Sequence, residues 1–150
     1  MLHRDFKEFL ELLSELKVKY LVVGGYALNL YIAKPRSTDD IDIWIKWSRS
    51  NSKNIRKAVE IFCNETNIDP SIFLDKNLRA PIGEPPFCID ILMDIKGLDF
   101  DAAYRQKNIV KWGKLEIPFL SKEDLIKTKK AVNRPQDKAD LFALGVIKKG

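Results

Sequence analysis

Histidine and cysteine are almost missing from this chain. Its 150 residues hold one histidine, His3, and two cysteines, Cys63 and Cys88, with neither a CxxC pair nor a Cys/His spacing that suits zinc. A Ser-His or Cys-His nucleophile would have to take its base from His3, close to a terminus, so hydrolase chemistry of that type fits poorly. Both cysteines stand alone in apolar surroundings and read as buried thiols. No apolar run approaches the roughly 18 residues that cross a bilayer. Met1 to Glu11 mixes acids with bases rather than following a signal-peptide pattern, which points to a cytoplasmic protein with no membrane partner. Internal repeats, low-complexity tracts and linkers are lacking, as are the Gly-Lys-Ser/Thr of a Walker loop and any GxGxxG.

What is present is an ordinary globular composition, 45% hydrophobic and 31% charged. The length suits one domain over residues 1–150. The net charge of +5 is unevenly placed, because residues 121–150 carry eight bases against four acids and leave the first 120 nearly neutral. A basic end of this kind meets the phosphates of a nucleotide or of RNA, or simply forms a solvated helix surface.

Phe6, Phe9, Leu10, Leu13 and Leu16 recur at helical spacing and predict an amphipathic helix over 4–17. Tyr20 to Val23 reads as a buried strand stopped by Gly24-Gly25, followed by a helix over about 26–33 that Lys34-Pro35 ends. Alternation at Asp40-Ile41-Asp42-Ile43 makes a strand over 40–45 with two acids on one face. Next come a helix over about 53–66 starting near Ser52, a proline-rich loop over 67–86 with one short helix near 71–78, and a strand over 87–93. A helical turn at 99–104 and a hairpin about Gly113-Lys114 precede two closing helices. One opens on a Ser121/Asp124 capping box and runs to about Val132, and the other covers about 136–147. Helices and strands mix without regular βα alternation, so the fold class is α+β. We expect a small mixed β-sheet flanked by helices, with a C-terminal helical part over about 121–150.

Asp40 and Asp42, at i and i+2 of one strand face, stand roughly 6.5–7 Å apart and can converge on one cation or a pair of cations. Left unpaired they repel and one pKa rises, unless the face is simply solvated. Asp39 points to the opposite face. Asp90 lies in the apolar run Phe87 to Met93, where an ionised carboxylate is costly unless a cation, an arginine or a backbone donor meets it. Gly24-Gly25, between strand and helix, either lets a phosphate approach backbone amides at a helix N-terminus or makes a tight turn.

The run Gly24-Gly25-Tyr26-Ala27, then Arg36-Ser37-Thr38-Asp39-Asp40-Ile41-Asp42-Ile43, with Asp90 in Ile-Asp-Ile as a third acid, resembles the signature of the DNA polymerase beta-like nucleotidyltransferase superfamily. The tail Lys129-Lys130-Ala131, then Arg134-Pro135-x-Asp137-x-x-Asp140-Leu141, is similar to the closing helices of bacterial nucleotidyltransferase-like proteins, including those of abortive-infection and toxin-antitoxin systems. The likeness spans about residues 20–145. It departs at Gly25, where many active members carry a serine whose hydroxyl holds a phosphate.

The resemblance implies a nucleotidyltransferase fold and a metal-dependent enzyme. Such an enzyme moves a nucleoside monophosphate from a nucleoside triphosphate, ATP among them, to a hydroxyl of an RNA end, a protein side chain or a small molecule. It implies that Asp40, Asp42 and Asp90 bind two Mg²⁺ or Mn²⁺ ions and are catalytic, Asp90 helping to take the acceptor's proton. Gly24 and Gly25 would receive the β/γ-phosphates. Arg36, Thr38 and Lys129 would touch the triphosphate, with a salt bridge holding the acidic loop as the other role for Arg36. Lys122, Lys127 and Lys130 read as solvated lysines, and Arg134 with Asp137 as a pair that fixes the last turn. Trp44, Trp47 and Trp112 are expected in packing, Trp47 also being able to stack a base. A chain with no separate acceptor domain implies a partner protein or a homodimer that completes the site. The competing reading is a non-catalytic nucleotide- or partner-binding module of a toxin-antitoxin-type pair.

Overall fold

The computed structural model describes residues 3–146. In chain order these form α1 (Arg4–Glu15), β1 (Tyr20–Val23), α2 (Gly24–Tyr31), β2 (Ile41–Ile45) and α3 (Arg49–Cys63). A 3-10 turn (Ile72–Leu74), β3 (Arg79–Ile82), β4 (Ile89–Leu92) and α4 (Phe100–Arg105) follow. Then come β5 (Asn108–Trp112), β6 (Leu115–Phe119), α5 (Lys122–Val132) and α6 (Pro135–Ala143).

The strands make one six-stranded mixed sheet in the order β3-β4-β2-β1-β6-β5. The central β1 is antiparallel to β2 and parallel to β6, and β2 is parallel to β4. Antiparallel pairs close both sides, β3 with β4 and β5 with β6. Strand β1 is buried along its whole length. On β2 and β4 the isoleucines Ile41, Ile43, Ile45, Ile89 and Ile91 are buried while Asp42 and Asp90 stay half-buried, which is the period-2 consequence of a strand with one polar position. Phe6, Phe9, Leu10 and Leu13 form the buried stripe of α1, and Ile55, Ala58 and Val59 that of α3. Among the described residues no helix is long and apolar enough to cross a membrane.

Tertiary contacts correct several expectations. Helix α2 begins at Gly24 rather than at Tyr26, so the Gly-Gly pair forms the helix's first turn. Helix α3 starts at Arg49, because Ser48 caps it by accepting the Asn51 amide. That cap frees the buried Asn51 side chain to take the Lys19 N–H and to donate to the Lys19 and Lys46 carbonyls, which ties β1 to β2 at the end remote from Gly24. The stretch read as loop contains β3, whose Pro81 is tolerated because an edge strand leaves one side unpaired. Only half of the Ser121/Asp124 capping box forms. Ser121 Oγ accepts the Asp124 amide, but the shorter aspartate leaves its buried Oδ2 without a partner among the described residues. Cys63 is exposed and Cys88 half-buried, since the last turn of α3 and the start of β4 lie at the surface, so neither is the buried thiol expected. Helix α6 ends at Ala143; Ile147, Lys148 and Lys149, assigned above to the last helix and its basic end, lie outside the described residues.

Candidate active site

Parallel pairing of β2 with β4 sets Asp42 directly opposite Asp90 on one sheet face. Adjacent strands lie about 4.8 Å apart, so two carboxylates held this way repel strongly. Burial raises the Asp42 carboxyl from its ordinary value to about 6. The charges of Asp90 and Asp40 and a hydrogen bond to Asp90 add to the rise, and the Arg79 charge partly offsets it. Asp40 precedes the strand and is exposed; its Oδ1 accepts the Cys88 amide at 3.3 Å, which pins the start of β2 to that of β4. Ile41 N–H to the Cys88 carbonyl completes that tie.

Gly24 follows β1 immediately, and Val23 pairs with Asp42. Its φ of +67° is a conformation side chains resist, and a Cβ there would come within 1.9 Å of Asp42 Oδ2. Glycine is therefore what allows the helix terminus and the acid to sit together. Val23 supplies no side-chain cap to α2, and among the described residues no side chain accepts from the helix's first amides. At Gly25 a Cβ would only crowd Thr38 Oγ1, at 3.2 Å. Thr38 is fixed by its own hydroxyl bonding to the Asp40 carbonyl and by Tyr26 Oη bonding to the Thr38 carbonyl. Tyr26 is pushed above its ordinary pKa by burial and by the nearby charges of Asp39 and Asp40.

A cavity of about 580 Å³ opens in front of these residues, large enough for a nucleotide. Gly24, Gly25, Arg36, Thr38, Asp42 and Lys129 line it, so six of the eight residues singled out in the sequence meet there. Asp40 and Asp90 are not among its walls. Arg79 of β3 and Asp94 and Lys96 beyond β4, none of them singled out in the sequence, line it too, as do Asp137, read there as the partner of Arg134, and Asp140, read there only as part of the closing-helix likeness. Arg79 and the residues beyond β4 carry no local signal. Asp137 and Asp140 did carry one, an i, i+3 pair on a single helix face.

The expected Arg134–Asp137 pair forms, with Arg134 Nε 2.9 Å from Asp137 Oδ2, and it holds the Asp137 carboxyl below the ordinary range. Arg36 takes the alternative role foreseen for it, a salt bridge, but to Asp140. Lys129 Nζ also reaches Asp140, at 2.7 Å. Lys127 and Lys130 are exposed, as solvated lysines should be, whereas Lys122 is half-buried beside the Ser121 cap. Trp44 is buried and Trp112 lies beneath Lys7. Trp47 does not line this cavity; its indole N–H donates to the Leu74 carbonyl at 2.7 Å, at the end of β2 remote from Asp42.

Among the described residues no three His, Cys, Asp or Glu side chains are gathered into an ion cage. What the structure holds is the Asp42–Asp90 pair, with Asp40 turned toward Cys88. Two hard oxygen donors that repel each other in a half-buried place match the donor preference of Mg²⁺, which takes one or two carboxylates and completes its shell with water and phosphate. The residues present therefore fit such an ion.

This mixed sheet, with the acids of two parallel strands beside a glycine-started helix, matches the fold of solved nucleotidyltransferases. The chain belongs to the family described as "Nucleotidyltransferase of unknown function (DUF6036)", whose profile matches residues 2–149. Several solved structures are similar, two of which follow. The lincomycin-bound lincosamide antibiotic adenylyltransferase LnuA superposes with a TM-score of 0.61 at 19% identity, covering 99% of each chain. A Thermotoga maritima protein with a provisional nucleotidyltransferase designation superposes with a TM-score of 0.58 at 17% identity, over 93% of this chain and 89% of its own. No protein of curated function matches the sequence.

Proposed function

We propose that this protein is a metal-dependent enzyme that transfers a nucleoside monophosphate from a nucleoside triphosphate to an acceptor hydroxyl. The observation that carries the reading is the Asp42–Asp90 pair set against the uncapped start of α2, with a glycine keeping the two in contact. An anion at the helix terminus and a cation at the carboxylates are what a bound triphosphate with its metal brings.

In this reading Gly24 and Gly25 offer backbone amides to the β- and γ-phosphates, and Arg36, Thr38 and Lys129 contact the remaining oxygens. Asp42 and Asp90, with Asp40 if its side chain leaves the Cys88 amide, would hold Mg²⁺ or Mn²⁺. Such an ion would supply charge neutralisation on the phosphates and a lowered pKa at the acceptor hydroxyl. Asp90 takes the acceptor's proton as its oxygen bonds to the α-phosphorus, and the bond to the bridging oxygen breaks to release pyrophosphate. The protein contributes position and charge rather than a covalent intermediate.

The likeness to LnuA over the full length of both chains supports AMP as the group moved and a small hydroxylated molecule as the acceptor. The basic end argues less for RNA than its composition suggests, because Lys129 and Arg134 are already paired with Asp140 and Asp137. Protein incubated with α-labelled nucleoside triphosphates, Mg²⁺ and a cell extract should label a product that an Asp40→Asn/Asp42→Asn variant does not. Label resistant to nuclease and protease identifies a small molecule; label lost to either one identifies RNA or protein. No label, together with nucleotide binding indifferent to Mg²⁺, replaces the enzyme by the toxin-antitoxin-type binding module.

A further inference from the structure

Asp140 is 2% exposed, and both of its carboxylate oxygens are used. Oδ1 receives the Arg36 guanidinium from the segment that leads into β2, and Oδ2 receives Lys129 Nζ from α5 at 2.7 Å. Arg36 is itself located by Asn29, whose side chain donates to the Arg36 carbonyl at 2.7 Å and accepts the Arg36 amide at 3.0 Å. Lys129 has a second acid, Asp137, at 3.6 Å, but Asp137 is committed to Arg134. One buried carboxylate therefore gathers two cations from parts of the chain about a hundred residues apart, and all three side chains line the same cavity.

Two cations converging on one wall repel each other, and long side chains lose considerable rotamer freedom when they are fixed. A buried counter-charge between them removes the repulsion and fixes both before any ligand arrives. Arg36 remains 49% exposed and lines the cavity, so its pairing with Asp140 does not bury it. Resting on the transferase reading above, we propose that Asp140 is the positioning residue of the triphosphate site. It touches no substrate, and acts by holding Arg36 and Lys129 at the places where phosphate oxygens arrive.

The proposal makes a prediction of sign. If only net charge mattered, removing an acid from the wall of an anion site would tighten anion binding. If Asp140 positions the cations, Asp140→Asn weakens it, on the order of tenfold to a hundredfold, as is usual when a group that orients ligand-binding residues is lost. The probe is inorganic tripolyphosphate, titrated calorimetrically at fixed Mg²⁺ into wild type, Asp140→Asn and Asp140→Glu, with thermal melts checking that each is folded. Asp140→Glu keeps the charge but moves its oxygens by about one C–C bond, 1.5 Å. It should also weaken binding, and it carries the test alone if the neutral variant does not fold. Binding equal to or tighter than wild type in a folded variant overturns the proposal and leaves the transferase reading standing. Failure of the wild type to bind tripolyphosphate removes both.

Discussion

Asp42→Asn is expected to make the metal-free protein more stable. The carboxyl is raised from 3.8 to about 6, so ionising it costs roughly 3 kcal/mol more in the folded protein than in the unfolded chain, at 1.36 kcal/mol per pKa unit. Asp42 still meets some water, and about 1–3 kcal/mol is the appropriate range. For an acid with a raised folded pKa the penalty is absent below about pH 4, grows between about pH 4 and pH 6, and is complete above that. Asparagine has nearly the same shape and no charge to desolvate. At pH 8 in EDTA the variant should therefore melt about 2–12 °C above the wild type, since 1 kcal/mol corresponds to roughly 2–4 °C at this size. Near pH 4 the gap should close. Mg²⁺ should raise the wild-type melting temperature and move the variant much less, because a ligand stabilises only the state that binds it. A variant equally or less stable than wild type at pH 8, or a gap independent of pH, would refute the electrostatic strain argued for the Asp42–Asp90 pair.

Two further substitutions separate the site from the scaffold. Gly24→Ala forces a side chain into a left-handed backbone conformation and toward Asp42 Oδ2, so it should cost at least about 1–2 kcal/mol in urea unfolding and abolish transfer. Asn51→Ala leaves the Lys19 amide and the Lys19 and Lys46 carbonyls without their partner, and should cost about 2–3 kcal/mol. It acts at the opposite end of β1 and β2 from Asp42, so transfer per folded molecule, assayed well below the melting temperature, should stay unchanged.

Features written in local periodicity could be read directly from the sequence. The stripe of α1, the four apolar residues of β1, the alternating acid of β2 and the Gly113 hairpin occur essentially where their patterns place them, because each pattern reports which side of an element meets the core. Asp40, Asp42, Asp90 and Gly24-Gly25 stood out for the same reason: a charge or a missing side chain is conspicuous against a buried strand. What no local pattern records is pairing between distant segments. Strand β3 was hidden because its proline and exposed residues look like loop until β4 supplies a partner. Helix α3 starts earlier than its apolar periodicity indicates because Ser48 caps it, and the buried Asn51 of its first turn bonds to the end of a sheet formed by other residues.

The sequence by itself determined the fold class and the chemistry available to the site, since both follow from the order of apolar, acidic and glycine positions along the chain. Only the tertiary structure decided how those groups are held. Burial between the strands raised the Asp42 pKa, and parallel register, by placing Asp90 against it, added to the rise. The return of α6 brought Asp140 to Arg36 and Lys129, turning two apparently independent cations into partners of one buried acid. Electrostatic energies depend on separation and on exclusion of water, and both are properties of the folded chain rather than of spacing along it.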